Sequence, residues 1–477
     1  MSRPGETVIH TRFDASMRQR NPAGVATLAA TLLVACGTQA PPDPARALES
    51  YRSVAHSEYR AALAAARTLQ TKIQALTTAA SPDSLAAARK AWVSARKPYA
   101  RTEALRFGHW FVDEWEARVN RWPIHPEFLD YVDQPEAPSQ RPLVVSPRIR
   151  VAGRTLDASI IDRRLLLDIQ ALSTDPTQVV TGYHAIEFML WGEDPVRHDR
   201  KPGARPWTDY ATDAALCTRG SQPAPPTECK RRGELLTTMA ELLVWELERM
   251  AAVWADKPGT YGYRLVHGDA EPGLHKALYG LVTFSASELA STRLDIPLRT
   301  RAPERIQDQF SNTSHTALYH SALGVEQLYY GRLDQQKAGV SLASLARHAD
   351  ANLAGQIDRA LATTRQRLAR IQQMGQTGQV LDQLIAPGHV EGSRVLADAI
   401  PAILLAAMFV CFIIQVFMRY VVGSPVGWTV EVCVIAWLWI LLWGQSVSAE
   451  EKDEIRFDIL YGSVSPAVRR WFRMAFS

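Results

Sequence analysis

The segment YRAALAAARTLQTKIQAL, residues 59–76, decides the fold class, because its alanines and leucines recur at helical spacing. Alanine and leucine are also strong helix formers, and a similar pattern returns over residues 84–99. Comparable windows continue from about residue 48 to residue 370, whereas the few strand signals favour a short hairpin or loop over residues 143–156. Helices joined by loops, without alternating strands, predict an all-α fold built of helical bundles.

Composition narrows the class of protein. A chain of 477 residues, of which 47% are hydrophobic and 21% charged, can bury a sizeable core and form more than one domain. Its formal net charge of +4 is small for this length, and no block of lysine and arginine stands out. Nucleic acid is therefore not an expected partner. The five cysteines are too few to predict a disulfide-based scaffold.

Residues 1–36 have the character of a leader for export. The basic stretch MRQR, residues 17–20, precedes an apolar run over residues 23–35 that is too short to span a membrane as a helix. The run ends in LVAC, which resembles a bacterial lipobox and predicts acylation at Cys36. We expect a lipoprotein-type signal peptide followed by a Pro/Ala-rich tether over residues 37–47. The alternative is an ordinary buried apolar segment.

The character of the chain changes again near residue 399. Residues 399–418 and 428–447 are almost wholly apolar, and about 20 residues at 1.5 Å each cover roughly 30 Å, the thickness of a bilayer core. The pattern predicts a helical domain over residues 48–399, followed by two transmembrane helices within residues 400–477. The alternative interpretation is a pair of buried core helices.

The sequence GYHAIE, residues 182–187, contains the most informative candidate for a functional site. His184 and Glu187 are three residues apart in a predicted helix, so their side chains share one face. A neutral imidazole beside a carboxylate is a suitable pair of metal ligands. The alternative is a histidine that is hydrogen-bonded within the core, which is the commoner role of a lone buried histidine.

A weak internal duplication accompanies this motif. Each half of the predicted helical domain has a helix with a glutamate in small or apolar surroundings, Glu103 in TEAL and Glu288 in SELA. Each of these is followed by a helix that contains a histidine, His184 in the first half and His315 in the second. Two bundle halves that face one another would form a site between them.

Several segments together make the chain similar to the imelysin family over residues 48–400. Besides GYHAIE, they are WVSARKPYARTEALRF (92–107), WPI (122–124), CKRR (229–232), FSASELASTR (284–293) and residues 310–331. The last begins with FSNTSH where the family usually shows FSDNTH, so that Asn312 replaces the aspartate. The resemblance implies an exported, two-half helical protein with a role in bacterial iron uptake.

The resemblance also implies a larger set of site residues. His184 and Glu187 form the core pair of metal ligands, and the additional ligands or orienting groups are Glu103, Glu288 and His315. The groups expected to orient these ligands or to pair with carboxylates are Arg96, Arg293 and Ser311. Nitrogen and oxygen ligands suit iron or zinc, and a carboxylate-rich site favours iron. The structural alternatives are that Glu103 and Glu288 are buried partners of the two arginines, and that His315 hydrogen-bonds within the bundle.

One branch of the family is named as peptidases, but the motif gives this activity little support. A zincin helix supplies HExxH, with two histidines as ligands, whereas the residue four positions after His184 is Phe188. A catalytic zinc also needs an open position and an activated water. We therefore favour metal binding over hydrolysis, with a metallopeptidase as an alternative.

Two cysteines bracket a loop rich in proline, glycine and serine. Cys217 and Cys229 are separated by residues 218–228. In an exported protein such a pair predicts a disulfide that closes a short loop. The alternative is a metal or redox site, although no histidine or second pair of cysteines lies close by in the sequence.

The last segment resembles a different family, the small membrane subunit of TRAP transporters. The resemblance rests on FMRY (417–420), GWTVE (427–431) and DEIRFD (453–458). It implies about half of a four-helix membrane subunit and, as a partner, a large permease subunit that imports organic acids.

The two resemblances conflict in topology. Export followed by lipidation at Cys36 would place the helical domain in the periplasm. Two membrane spans in the inner membrane would then return the chain to the periplasmic side. The basic residues 469–473 favour the cytoplasmic side. A fused or chimeric reading frame is our hypothesis for this conflict. The interpretation that we favour is an exported, membrane-associated metal-binding protein with a partial transporter segment. The alternative interpretation is a membrane component of a transport system.

Overall fold

The computed structural model describes residues 41–132, 141–193, 201–333 and 339–417, together with 419, 427, 429–431, 433–438 and 440. The predicted leader, the lipidation of Cys36 and half of the second apolar segment lie outside these residues. Within them the chain is mainly helical, which confirms the all-α, two-half fold class.

The helices follow one another in chain order, separated by loops and short turns. They are α1 (Pro44–Thr78), α2 (Pro82–Thr102), α3 (Trp110–Val119), α4 (Arg163–Leu172), α5 (Gly182–Trp191), α6 (Pro226–Val253), α7 (Tyr261–His267), α8 (Ala270–Thr283), α9 (Ile296–Thr300), α10 (Ser314–Tyr330), α11 (Leu342–Ala349), α12 (Ala351–Gln376), α13 (Leu381–Leu384) and α14 (Val390–Phe417). A π-helical segment, Phe284–Asp295, joins α8 to α9. Short 3₁₀ turns occupy Glu103–Leu105, Pro126–Phe128, Trp207–Tyr210 and Pro303–Arg305.

Two small antiparallel hairpins complete the described secondary structure. Strands β1 (Arg148–Val151) and β2 (Arg154–Asp157) pair around Gly153, as the sequence predicted. Strands β3 (Thr218–Arg219) and β4 (Gln222–Pro223) lie in the loop that the disulfide between Cys217 and Cys229 closes.

The first half of the domain is a bundle in which α1 packs against α2 and α6. The helices begin where the sequence provides caps: the Asp43 side chain accepts a hydrogen bond from the Ala45 N–H, and Ser81 and Ser84 form a reciprocal capping box. Large aromatic side chains fill the space between the helices, with Tyr59 and Trp254 stacked at 6.3 Å between ring centroids.

The second half is formed by the π-helical segment, α10, α12 and α14. It is joined to the first half through α10, which packs on α2. The contact is close: a Cβ added to Gly324 on α10 would lie 2.1 Å from the carbonyl oxygen of Arg101 on α2. A side chain at position 324 would therefore force the two halves apart.

Helix α14 runs through the predicted domain boundary at residue 399/400 without a break. Val390–Val416 is the one stretch of the described residues that is long and apolar enough to cross a membrane, yet 56% of its most apolar window is buried inside the protein. The helix packs on α12 and on the π-helical segment, with Ile403 and Ala407 both 1% exposed. Hydropathy alone does not distinguish a buried bundle helix from a membrane span, which is why the sequence placed the boundary here.

Candidate metal centre

Helix α5 is positioned by its first residue. Gly182 has φ +86°, and a Cβ at this position would lie 2.5 Å from the carbonyl carbon of Val119, the last residue of α3. Only glycine combines that left-handed conformation with so close an approach. Every residue of α5 is buried, so its polar side chains point into the protein rather than into water.

Three ligand-type side chains converge beside α5. The Nδ1 atom of His184 lies 3.3 Å from Oε2 of Glu187 and 3.4 Å from Oδ1 of Asp308. All three residues are buried, and one ligand atom from each lies within 4.8 Å of the others. His184 and Glu187 belong to the first half, whereas Asp308 precedes α10 in the second half. The cluster therefore lies where the two halves meet.

The chain before α10 also orients the two residues of α5. Ser311 donates two hydrogen bonds to Oε1 of Glu187, from its N–H at 2.8 Å and from its hydroxyl at 2.7 Å. These bonds leave Oε2 of Glu187 facing His184. Nε2 of Gln307 lies 3.4 Å from Nε2 of His184, on the side of the ring away from the carboxylates. The structure thus brings Ser311, which the sequence predicted as an orienting group, directly to the cluster.

Arg96 fixes the third side chain. Its guanidinium contacts both oxygens of Asp308 at 3.1 and 3.2 Å, and its Nη1 donates to Oδ1 of Asn120 at 3.0 Å. Asn120 in turn donates to the carboxylates of Glu103 at 2.8 Å and Glu116 at 2.9 Å. A continuous buried polar network therefore extends from the cluster into the first half.

Glu103 and Glu288, which the sequence suggested as additional ligands or orienting groups, lie outside the three-residue cluster. Arg293 forms ion pairs with Glu103 at 2.8 Å and with Glu288 at 3.2 Å, and the Ser321 hydroxyl donates to Glu103 at 2.7 Å. Among the described residues, the group with metal-ligand geometry is His184, Glu187 and Asp308, and neither glutamate is a member. Their side chains already have cationic partners, so the structural alternative for these two residues fits the geometry better.

His315 also lies outside the cluster. Its ring packs against α12, where a Cβ added to Gly375 would be 2.2 Å from the ring. Its Nδ1 is buried and has no hydrogen-bond partner among the described residues, and burial lowers the pKa of this imidazole to about 4. The position on α10 directs the ring towards α12 and not towards α5.

The cluster and its network are short of positive charge. Burial, followed by the charge of Asp308, raises the pKa of Glu187 well above its usual range, and burial raises the pKa of Asp308 despite Arg96. Burial and the charges of Arg96 and Arg293 hold the pKa of His184 well below its usual value. The connected carboxylates are Glu103, Asp113, Glu116, Glu187, Glu288 and Asp308, and the guanidiniums are Arg96, Arg106 and Arg293. A cation bound at the cluster would offset this excess of acid.

Comparison with known proteins agrees with this architecture. The family model described as imelysin matches residues 55–403, which is most of the chain. The chain belongs to the imelysin family. A second model, described as the DctQ component of tripartite ATP-independent periplasmic transporters, matches residues 408–477.

Individual relatives of this imelysin are distant. Iron-regulated protein A of Synechococcus elongatus is 24% identical over 347 residues, covering 71% of this chain and 79% of that protein. The crystal structure of a putative iron-regulated protein A precursor from Parabacteroides distasonis has a TM-score of 0.52 at 14% identity, covering 78% of this chain and 97% of the other. An imelysin-like protein from Psychrobacter arcticum has a TM-score of 0.49 at 14% identity, covering 81% and 99%. The structural similarity shows the fold alone.

One residue of the three-residue cluster, Asp308, was missed by the sequence analysis. The family resemblance drew attention to position 312, where this chain has asparagine, whereas Asp308 supplies the carboxylate from four residues earlier. Asp308 has φ +56°, a conformation that aspartate tolerates better than most residues. An aspartate shortly before the FSNTSH block was the available signal, but the sequence gives no indication that its side chain turns towards α5.

Proposed function

We propose that this imelysin binds a transition-metal ion, iron or zinc, through His184, Glu187 and Asp308, as part of bacterial iron acquisition. The observation that carries the proposal is the convergence of three buried ligand-type groups from both halves within 4.8 Å. One imidazole nitrogen and two carboxylate oxygens form a donor set that suits these metals. An iron-regulated relative supports the link to iron.

The surrounding residues prepare the ligands for a cation. Ser311 holds one oxygen of Glu187, so the other oxygen faces the centre of the cluster. Arg96 holds Asp308 through contacts with both of its carboxylate oxygens. Burial makes two adjacent negative charges unfavourable, and a metal ion would permit both carboxylates to ionise. This is the arrangement expected of a site that gains stability when a cation enters.

Metal analysis of the full chain tests the proposal. After incubation with Fe²⁺ under anaerobic conditions, or with Zn²⁺, and removal of excess ion, we expect about one bound ion per chain by elemental analysis. His184→Ala combined with Glu187→Ala should abolish binding. Asp308→Asn should weaken it by more than the roughly 10–100-fold that the loss of an orienting partner costs.

A matched control separates loss of the site from loss of a buried acid. Glu326 is buried and paired with Arg365 at 2.7 Å, outside the cluster. Glu326→Gln should leave metal content unchanged. Equal metal content in the wild type and in the His184/Glu187 double variant would contradict the proposed site.

The proposed location is the periplasmic side of the inner membrane, with a lipid anchor at Cys36. The support is the leader-like sequence of residues 1–36 and the match of residues 408–477 to a transporter membrane component. Labelling of growing cells with a radioactive fatty acid should mark the wild type and not Cys36→Ala. Unlabelled wild-type protein would contradict the anchor.

A second candidate function is a membrane component of a tripartite organic-acid transporter, and the match over residues 408–477 favours it. Co-purification of the native protein with a large permease subunit would support this role. Intact-mass analysis of the membrane fraction tests the hypothesis of a fused reading frame, because a single full-length species there would contradict it.

A further inference from the structure

The two nitrogens of the His184 ring face different surroundings. Nδ1 faces the carboxylates of Glu187 and Asp308, at 3.3 and 3.4 Å. Nε2 faces the side-chain amide of Gln307, whose Nε2 lies 3.4 Å away. Gln307 is 7% exposed, so water has little access to this contact. The amide is therefore the group that determines which hydrogen bond Nε2 can form.

The amide of Gln307 has an unused acceptor. Its Oε1 atom is buried and has no hydrogen-bond partner among the described residues. Buried amide oxygens are nearly always hydrogen-bonded, so this atom calls for an explanation. The two ends of the amide have almost the same shape, and a half-turn about the terminal torsion would place Oε1 against Nε2 of His184. The main chain would stay in place, because the Ser314 hydroxyl donates to the Gln307 carbonyl.

The two orientations of the amide favour different tautomers of the neutral imidazole. When the amide N–H donates to Nε2, the ring hydrogen is on Nδ1 and points towards the carboxylates. When Oε1 accepts from Nε2–H, the Nδ1 lone pair points towards the carboxylates, which is the form that a metal ligand requires. Each orientation leaves His184 hydrogen-bonded at both nitrogens or bound to metal at one.

We infer that Gln307 is a positioning residue that holds His184 in either tautomer and turns its amide when a cation replaces the hydrogen on Nδ1. The part that concerns the loaded site rests on the proposed function, whereas the part that concerns the metal-free site does not. The partner of a histidine ligand commonly fixes its tautomer and orientation. Here an amide does so in both states, because it can donate or accept.

NMR of the full chain labelled with ¹⁵N-histidine tests the part of the inference that concerns the metal-free site. The His184 signals are assigned by their loss in His184→Gln. We expect a neutral ring with its hydrogen on Nδ1 in the metal-free wild type, and on Nε2 after Zn²⁺ is added. A metal-free ring that already has its hydrogen on Nε2 would overturn the inference, whether or not zinc binds.

Zinc competition titrations test the part of the inference that concerns the metal-bound site. Gln307→Met keeps the bulk but removes both hydrogen-bonding groups, and should lower the affinity for Zn²⁺ by roughly 10–100-fold. Gln307→Glu, which retains an acceptor, should restore affinity to within a few-fold of the wild type. Gln170→Met is the matched control. The Gln170 amide N–H donates to the Ala117 carbonyl, and its oxygen accepts from the hydroxyl of Thr181, the residue just before α5. This variant should bind zinc as the wild type does.

The outcomes distinguish the two proposals. Wild-type affinity in Gln307→Met, together with no binding in His184→Ala, would overturn the role of Gln307 and leave the metal site intact. Equal losses in Gln307→Met and Gln170→Met would also overturn it, since they would indicate a general packing defect. A wild type that binds neither Zn²⁺ nor Fe²⁺ would overturn the metal site, and the metal-free spectrum would still decide the donor role of Gln307.

Discussion

Single residues determine whether α5 can approach α3 and present its ligands. Gly182 has φ +86° and no room for a side chain, whereas Gly153, in the β1–β2 turn, has φ +80° and nothing within 4 Å of an added Cβ. The two glycines therefore share the backbone requirement and differ in the steric one. Comparing them separates the cost of a left-handed conformation from the cost of a clash.

Gly182→Ala should destabilise the protein more than Gly153→Ala. We expect about 1–2 kcal/mol for Gly153→Ala from the left-handed backbone, and roughly 1–3 kcal/mol more for Gly182→Ala from the contact with Val119. Thermal and denaturant unfolding of both variants measure the difference. Equal destabilisation would show that α5 can move away from α3 without cost.

The affinity of the cluster for metal should fall as the pH falls. The pKa of Glu187 is raised by burial and by Asp308, so a proton competes with the cation at a higher pH than at an ordinary carboxylate. The pKa of His184 is lowered, so protonation of its ring contributes less to this loss than protonation of an ordinary histidine would. Zinc titrations at successive pH values measure the effect. An affinity independent of pH between 7 and about 5 would contradict the raised pKa.

At the scale of elements, α14 combines the composition of a membrane span with the packing of a bundle helix. Its buried side faces α12 and the π-helical segment, and Ala407 is 1% exposed. Phe412, on the other side of the helix, is 41% exposed. In the structure these two positions have different surroundings, whereas in the middle of a bilayer both would be shielded from water.

A charge should therefore be tolerated on one side of α14 and not on the other. Ala407→Glu would bury an unpaired carboxylate and should cost roughly 3–5 kcal/mol, while Phe412→Glu should cost less than about 1 kcal/mol. Limited proteolysis and thermal unfolding of the full-length variants measure both changes. Equal disruption by the two substitutions would indicate that α14 lies in the membrane and not in the bundle.

At the scale of the whole molecule, buried and half-buried histidines link stability to pH. Burial and the charge of Lys276 lower the pKa of His109 to about 3, and burial lowers those of His315 and His320 to about 4. His109 lies between the hydroxyls of Tyr51, at 3.2 Å, and Tyr261, at 2.6 Å. Each ring is neutral in the folded protein but is protonated in the unfolded chain below about pH 6.5.

Acid should therefore destabilise the folded protein. Between about pH 6.5 and the lowered pKa, the unfolded chain binds one more proton per histidine, so the free energy of unfolding falls by about 1.4 kcal/mol per pH unit for each ring. Below the folded pKa the effect of that ring is complete. His109→Phe should give a shallower decline between pH 6.5 and 4 in urea unfolding. A decline as steep as that of the wild type would exclude His109 as a contributor.

The sequence by itself determined the all-α class, the β1–β2 turn and the pairing of His184 with Glu187. These features depend on residues close together in the chain, where helical periodicity and turn chemistry act directly. Asp308, the pairing of Glu103 and Glu288 with Arg293, and the burial of α14 were decided by the tertiary structure. Each of these features depends on which distant segments of the chain pack together. For α14 in particular, an apolar helix has the same composition whether other helices or a lipid bilayer cover it.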